Sequence, residues 1–88
     1  MKKRLLVETW GDFQKIPNLS ELMPVEMSVA CELRDKGLIE SLLIKDGLKG
    51  AYIVYTETDK EKVAEILKKL PLYPYFEKIE YTLVDKTY

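Results

Sequence analysis

Leu70-Pro71-Leu72-Tyr73-Pro74-Tyr75 ends a helical pattern and opens the last strand, and the order of elements around it decides the fold. Neither proline can continue a helix, and each biases the residue before it toward an extended backbone, so Leu70 and Tyr73 act as stops. The turn gathers Tyr73, Tyr75 and Phe76 at one end of the molecule. Upstream, Thr58 followed by Glu61 reads as a capping box. The helix it opens has Val63, Ile66, Leu67 and Leu70 as its core face, with Lys68 and Lys69 at the negative end of its dipole. Downstream, Phe76 to Val84 alternates Glu77, Ile79, Tyr81 and Leu83 against Lys78, Glu80 and Thr82, the period of a strand.

Toward the N-terminus the same reading continues. Arg4 to Thr9 is a compact apolar run broken by Trp10-Gly11-Asp12, and Ile16-Pro17-Asn18 is a loop. Ser20 to Lys36 is helical with Gly37 as its cap, and Pro24 belongs either in the first turn or at the start of a second helix. Leu38 to Lys45 and Ala51 to Glu57 are strands joined through Asp46-Gly47 and Gly50. The order is strand, helix, strand, strand, helix, strand. That is the ferredoxin-like split unit, a four-stranded antiparallel sheet with both helices on one face, in a single domain over residues 1–88.

Two helices cover one face of such a sheet, yet the central strands carry apolar residues at both parities: Leu5, Leu6 and Val7 in the first, Tyr52, Ile53, Val54 and Tyr55 in the third. Continuous apolar runs signify burial on both faces. Four strands at roughly 4.8 Å spacing and about 3.3 Å rise present several hundred Å², the scale of one partner's share of a standard interface. A second copy of the chain is the simplest cover, so a homodimer with facing sheets is expected.

Composition removes several classes of function. The formal net charge is -1 with acids and bases interspersed, so there is no basic footprint for nucleic acid. No apolar run is long enough to span a bilayer, and Lys2-Lys3-Arg4 leads into only Leu5-Leu6-Val7 before Glu8, too short for a signal-peptide core. The cytoplasm is the expected compartment. A lone Cys31 and no histidine leave no disulfide and none of the usual zinc-ligand sets. Cys31 also falls away from the core stripe with no histidine to activate it, which argues against a nucleophilic thiol.

Chemistry is sought where a polar side chain occupies an apolar position. At about 100° per residue, Leu22, Val25, Val29, Ala30 and Leu33 form one stripe of the first helix, and Glu26 falls within it. Buried there without a cation, its carboxyl acquires a raised pKa, basic enough to take a carbon-bound proton and acidic enough to return it. The alternative is a glutamate that turns out to water or pairs with Arg4 or a lysine. Tyr52 and Tyr55 lie on opposite faces of their strand, so at most one lines a cavity between helices and sheet. Trp10 roofs a pocket mouth or meets a second subunit, and Glu40 is a solvent-edge charge. Residues 60–69 form a solvated helix face with pairs such as Glu65 and Lys69.

Glu26, Ala30, Leu33, Gly37, Gly47, Tyr52 and the Leu70–Tyr75 turn together resemble the muconolactone isomerase family, of the dimeric α/β-barrel type, over roughly the last two-thirds of the chain. The resemblance implies dimers that assemble further and a pocket between helices and sheet. It also implies a reaction without metal or organic cofactor that moves a carbon–carbon double bond in an unsaturated lactone acid by proton removal and return. Glu26 stands where a family helix glutamate stands, and Tyr52, Tyr55, Trp10 and Tyr75 are the expected substrate-binding residues. The chain departs from the family at Leu43 and Ile44, where an aromatic and an arginine are usual, and in having no histidine. Arg34, Arg4 and Lys45 are the remaining candidates to grip a substrate carboxylate. The functions expected are a cofactor-free isomerase acting on a small apolar carbonyl compound, or a ligand-binding or assembly module that kept the fold and lost the chemistry. A cofactor-free oxygenase of the same barrel type is a third.

Overall fold

A computed structural model describes residues 2–87. Its elements are β1 (Lys2–Trp10), α1 (Leu19–Asp35), β2 (Ile39–Ile44), β3 (Gly50–Tyr55), α2 (Lys60–Leu67) and β4 (Lys78–Lys86), with 3-10 turns at Phe13–Lys15, Asp46–Leu48 and Tyr73–Tyr75. All pairings are antiparallel and the sheet order is β2-β3-β1-β4, the ferredoxin-like arrangement expected from the sequence. Leu5, Val7 and Thr9 of β1 and Ala51, Ile53 and Tyr55 of β3 are buried beneath the helices. The intervening Leu6, Tyr52 and Val54 are only half-buried, on the face that neither helix covers.

Two apolar clusters meet at the Leu70–Tyr75 turn. Leu70 joins the main core with Leu33, Ile53, Val63 and Leu67, while Leu72 joins Phe13 and Ile16. Phe76 touches both clusters, its ring 5.9 Å from Phe13 and 6.1 Å from Tyr73. The proline turn therefore places two leucine anchors, Leu70 and Leu72, one in each cluster. Close backbone approach fixes two glycines nearby. A Cβ on Gly11 would stand 2.5 Å from the Tyr75 carbonyl oxygen, and one on Gly50, at φ +142°, 2.0 Å from that of Thr9.

Local details differ from the expectations. Pro24 lies inside one continuous α1 rather than at a break. Val25, expected in the core stripe, is 50% exposed: relative to the line through Leu22, Glu26, Val29 and Leu33 it sits at the stripe's edge. Helix α2 is capped by Asp59, whose carboxylate accepts from the Glu61 N–H, and not by Thr58. The Thr58 N–H instead donates to Glu57. That helix ends at Leu67, and Leu70 is reached through a turn. Glu65 pairs with Lys68 rather than with Lys69. Glu40 is no solvent-edge charge, because a register irregularity in β2 between Ile39 and Ser41 brings it against Arg4 and Lys86.

Candidate active site

Helix α1 carries Glu26 into the layer between helices and sheet, where it is 3% exposed. Its Oε1 accepts a hydrogen bond of 3.0 Å from the backbone N–H of Leu72. The proline turn thus meets the carboxyl directly, an N–H that no side-chain pattern reports. No cation reaches it among the described residues. Arg4, one partner the sequence offered, lies on the opposite face of the sheet with Nε 3.1 Å from Glu40. Burial pushes the Glu26 pKa above the ordinary carboxylate range, and the Leu72 hydrogen bond opposes this only in part.

Tyr55, at the end of β3, is fully buried on the same side, and its hydroxyl has no hydrogen-bond partner among the described residues. Burial pushes its pKa up, and the nearby Tyr81 and Glu26 add to the rise, so the phenol stays neutral and remains a donor. Thr9, equally buried, shows the usual solution: its hydroxyl accepts from the Ala51 N–H at 3.0 Å. An orphaned buried hydroxyl is uncommon, and its desolvation is uncompensated until another polar group arrives.

The other expected site residues lie elsewhere. Tyr52 and Trp10 are on the uncovered face, where the Lys45 ammonium stands 4.0 Å from the Trp10 ring centre and 5.2 Å from that of Tyr52. Lys45 also binds Glu8 at 2.9 Å and, with Tyr52 and Lys78 assisting, holds that carboxyl below the ordinary range against the opposing effect of burial. Tyr75 is 38% exposed and borders a groove of about 260 Å³ with Asp12, Ile16 and Glu77. A second groove of about 190 Å³, between α1 and β2, is lined by Met27, Cys31 and Arg34. Neither groove is lined by Glu26 or Tyr55. The structure therefore places Glu26 and Tyr55 in the same helix–sheet layer, with Tyr52 and Trp10 on the other face and Tyr75 at a surface groove.

Tyr81 was not among the candidates, although its alternation with Ile79 and Leu83 put the three on one face of their strand, and the register with buried Val7 turns that face to the helices. It lies opposite Val7, packs against the main core and is close enough to Tyr55 to affect its ionisation. Among the described residues no group of three or more His, Cys, Asp or Glu side chains could hold a metal ion. Nor, among these residues, is any helix long and apolar enough to cross a membrane.

These features define an α+β, ferredoxin-like fold with a carboxyl and a phenol enclosed between its layers. Among solved structures the chain is similar to 5-chloro-2-hydroxyhydroquinone dehydrochlorinase (TftG) from Burkholderia phenoliruptrix AC1100, in its complex with 2,5-dihydroxybenzoquinone. The two are 10% identical, with a TM-score of 0.56 over 96% of this chain and 93% of that one. No protein-family model and no curated protein matches the chain. At this identity the likeness is one of fold.

Proposed function

We propose that the chain is a cofactor-independent isomerase-like enzyme, resembling muconolactone isomerase, that shuttles a proton on a small unsaturated lactone or other carbonyl compound. The observation that carries this reading is the unpartnered Tyr55 hydroxyl in the same helix–sheet layer as a buried Glu26 with no counter-ion among the described residues. Glu26 as carboxylate removes a proton from the carbon next to the carbonyl. The electron pair moves into the carbonyl oxygen, which accepts a hydrogen bond from Tyr55 as the enolate forms. The protonated Glu26 then returns the proton to the far carbon of the conjugated system, and the double bond has moved with no net gain or loss of atoms. The Leu72 N–H holds Oε1 and leaves the other oxygen for the proton. A fold neighbour seen with an oxygenated ring compound agrees with a small-molecule ligand of this kind.

Glu26→Gln tests the reading, because a glutamine oxygen still accepts from Leu72 while proton transfer is lost. Exchange of substrate hydrogen for deuterium, followed by NMR on unsaturated lactones, should collapse in this variant. Retention of the wild-type rate would falsify the assignment.

A second reading has its own support: the Glu26–Leu72 hydrogen bond gives the carboxyl a structural task, and Leu43 and Ile44 stand where the family's substrate-gripping pair is usual. Under it the fold binds or assembles without chemistry, and Glu26→Gln leaves ligand affinity unchanged.

In either reading the uncovered sheet face meets a second copy of the chain. Leu43, 56% exposed, lies there with half-buried Leu6 and Val54, flanked by the Glu8–Lys45 pair at one end and the Arg4–Glu40–Lys86 cluster at the other. An apolar centre between internally neutralised charges suits a self-complementary contact. Sedimentation showing only monomer at all concentrations would remove the dimer.

A further inference from the structure

A ligand that meets the Tyr55 hydroxyl needs a route to it and a group to hold its other end. Across the sheet, Leu83, Leu5, Tyr55 and Ile39 form one cross-strand row on the helix side. Its inner members are buried, with Leu5 4% and Tyr55 0% exposed, but Leu83 at the β4 edge is 56% exposed. The cause is length. Helix α2 has 8 residues, about 12 Å, whereas β4 has 9, about 30 Å. The layer is therefore open at the Leu83 end of β4, and Tyr81, between Ile79 and Leu83 on that face, is half-buried at the margin of the opening.

One cation overlooks this margin. The Lys60 ammonium, at the start of α2, stands 5.0 Å from the centre of the Tyr81 ring and makes no ion pair among the described residues. The three cations the sequence offered for a substrate carboxylate are engaged or remote: Arg4 binds Glu40, Lys45 binds Glu8, and Arg34 borders the separate groove beside β2. Lys68, further along α2, is paired with Glu65. An ammonium held over an aromatic face exchanges a weak attraction for a stronger one when an anion arrives.

We propose that the ligand enters across the uncovered edge of β4, stacks on Tyr81, presents an oxygen acceptor to the Tyr55 hydroxyl and is selected by Lys60 through a carboxylate at its other end. The class defined is a planar ring acid with a carbonyl or hydroxyl oxygen opposite the acid group. The proposal rests on the reading that the Tyr55 hydroxyl awaits a ligand, and it adds Lys60 and Tyr81 as specificity-determining residues.

Calorimetric titration of the full chain with 4-hydroxybenzoate, and with the uncharged 4-hydroxybenzamide, tests it. Lys60→Met should weaken 4-hydroxybenzoate by about tenfold and leave the amide unchanged. Lys62→Met, which removes the same charge from the same exposed helix, should leave both unchanged, and Tyr55→Phe should weaken both. Equal losses in Lys60→Met and Lys62→Met, or no binding of 4-hydroxybenzoate by the wild type, overturn the proposal. Loss at Tyr55 without loss at Lys60 removes the Lys60 assignment while sparing the site. Deuterium exchange in Glu26→Gln judges the proton-transfer reading separately, since it does not depend on Lys60.

Discussion

The two faces of the sheet treat charge in opposite ways. On the uncovered face Glu8 meets Lys45, and Glu40 meets both Arg4 and Lys86, so both carboxyls are held below the ordinary range. Under the helices, among the described residues, Glu26 has one backbone donor and no cation, and the Tyr55 hydroxyl has no partner. Neutralised pairs can be buried again by a second copy at modest cost, whereas unneutralised groups in a low-dielectric layer stay ready to react. The proposed function puts assembly on one face and chemistry on the other.

The strongest way to break it is Glu26→Gln. The expected loss in proton-transfer rate is about 10²- to 10⁴-fold, the range for a positioned acid or base. The same variant should alter stability with a definite sign. A carboxyl whose folded pKa is raised stabilises the fold most below its unfolded value and loses that contribution as pH rises through the folded one. Glu26→Gln should therefore melt higher than wild type at neutral pH, and the difference should close in acid, as read by thermal denaturation across pH. A rate loss without this pH-dependent gain would mean that a cation neutralises Glu26.

Leu43→Glu strikes the other face. Two copies would bring new carboxylates to the apolar centre, and the dimer dissociation constant should rise about 100-fold, measured by sedimentation. Its proton-transfer rate per chain should change little if the faces are independent. Tyr55→Phe acts on the enclosed side again: removing the orphaned hydroxyl should raise stability by about 1 kcal/mol in chemical denaturation and lower the rate about 100-fold, the low end for loss of one such donor. Lower stability in that variant would show that the hydroxyl already has a partner.

Much of this was legible in the sequence. The proline stops, the βαββαβ order and the position of Glu26 follow from backbone chemistry and periodicity, which are local. What escaped was relational. The Glu26 partner is a main-chain N–H at Leu72, 46 residues away, and backbone donors leave no trace in a side-chain pattern. Tyr52 and Tyr55 could be placed on opposite faces by parity, but parity does not say which faces the helices; the register with buried Leu5 decides for Tyr55. The part of Glu40 in the charged cluster depends on a strand irregularity that shifts register, and turn chemistry gave no sign of it. Asp59 displaced Thr58 as cap because adjacent residues can both serve and helix ends are set within a residue or two.

The finest test sets Glu8 against Glu26. Lys45 beside Glu8 lowers its pKa, so Glu8 adds stability above its unfolded value and loses it as pH falls through the folded one. In Glu8→Gln the deficit relative to wild type should therefore be largest at neutral pH and vanish in acid. Its sign is opposite to that of Glu26→Gln over the same pH range, although the chemical change is identical. Because Lys45 is also held over Trp10 and Tyr52, losing Glu8 leaves an unpaired ammonium on the face proposed to meet a second copy. The deficit should accordingly widen with protein concentration in thermal melts. A deficit independent of concentration would separate the Glu8–Lys45 pair from assembly and leave it a local brace between β1 and the β2–β3 loop.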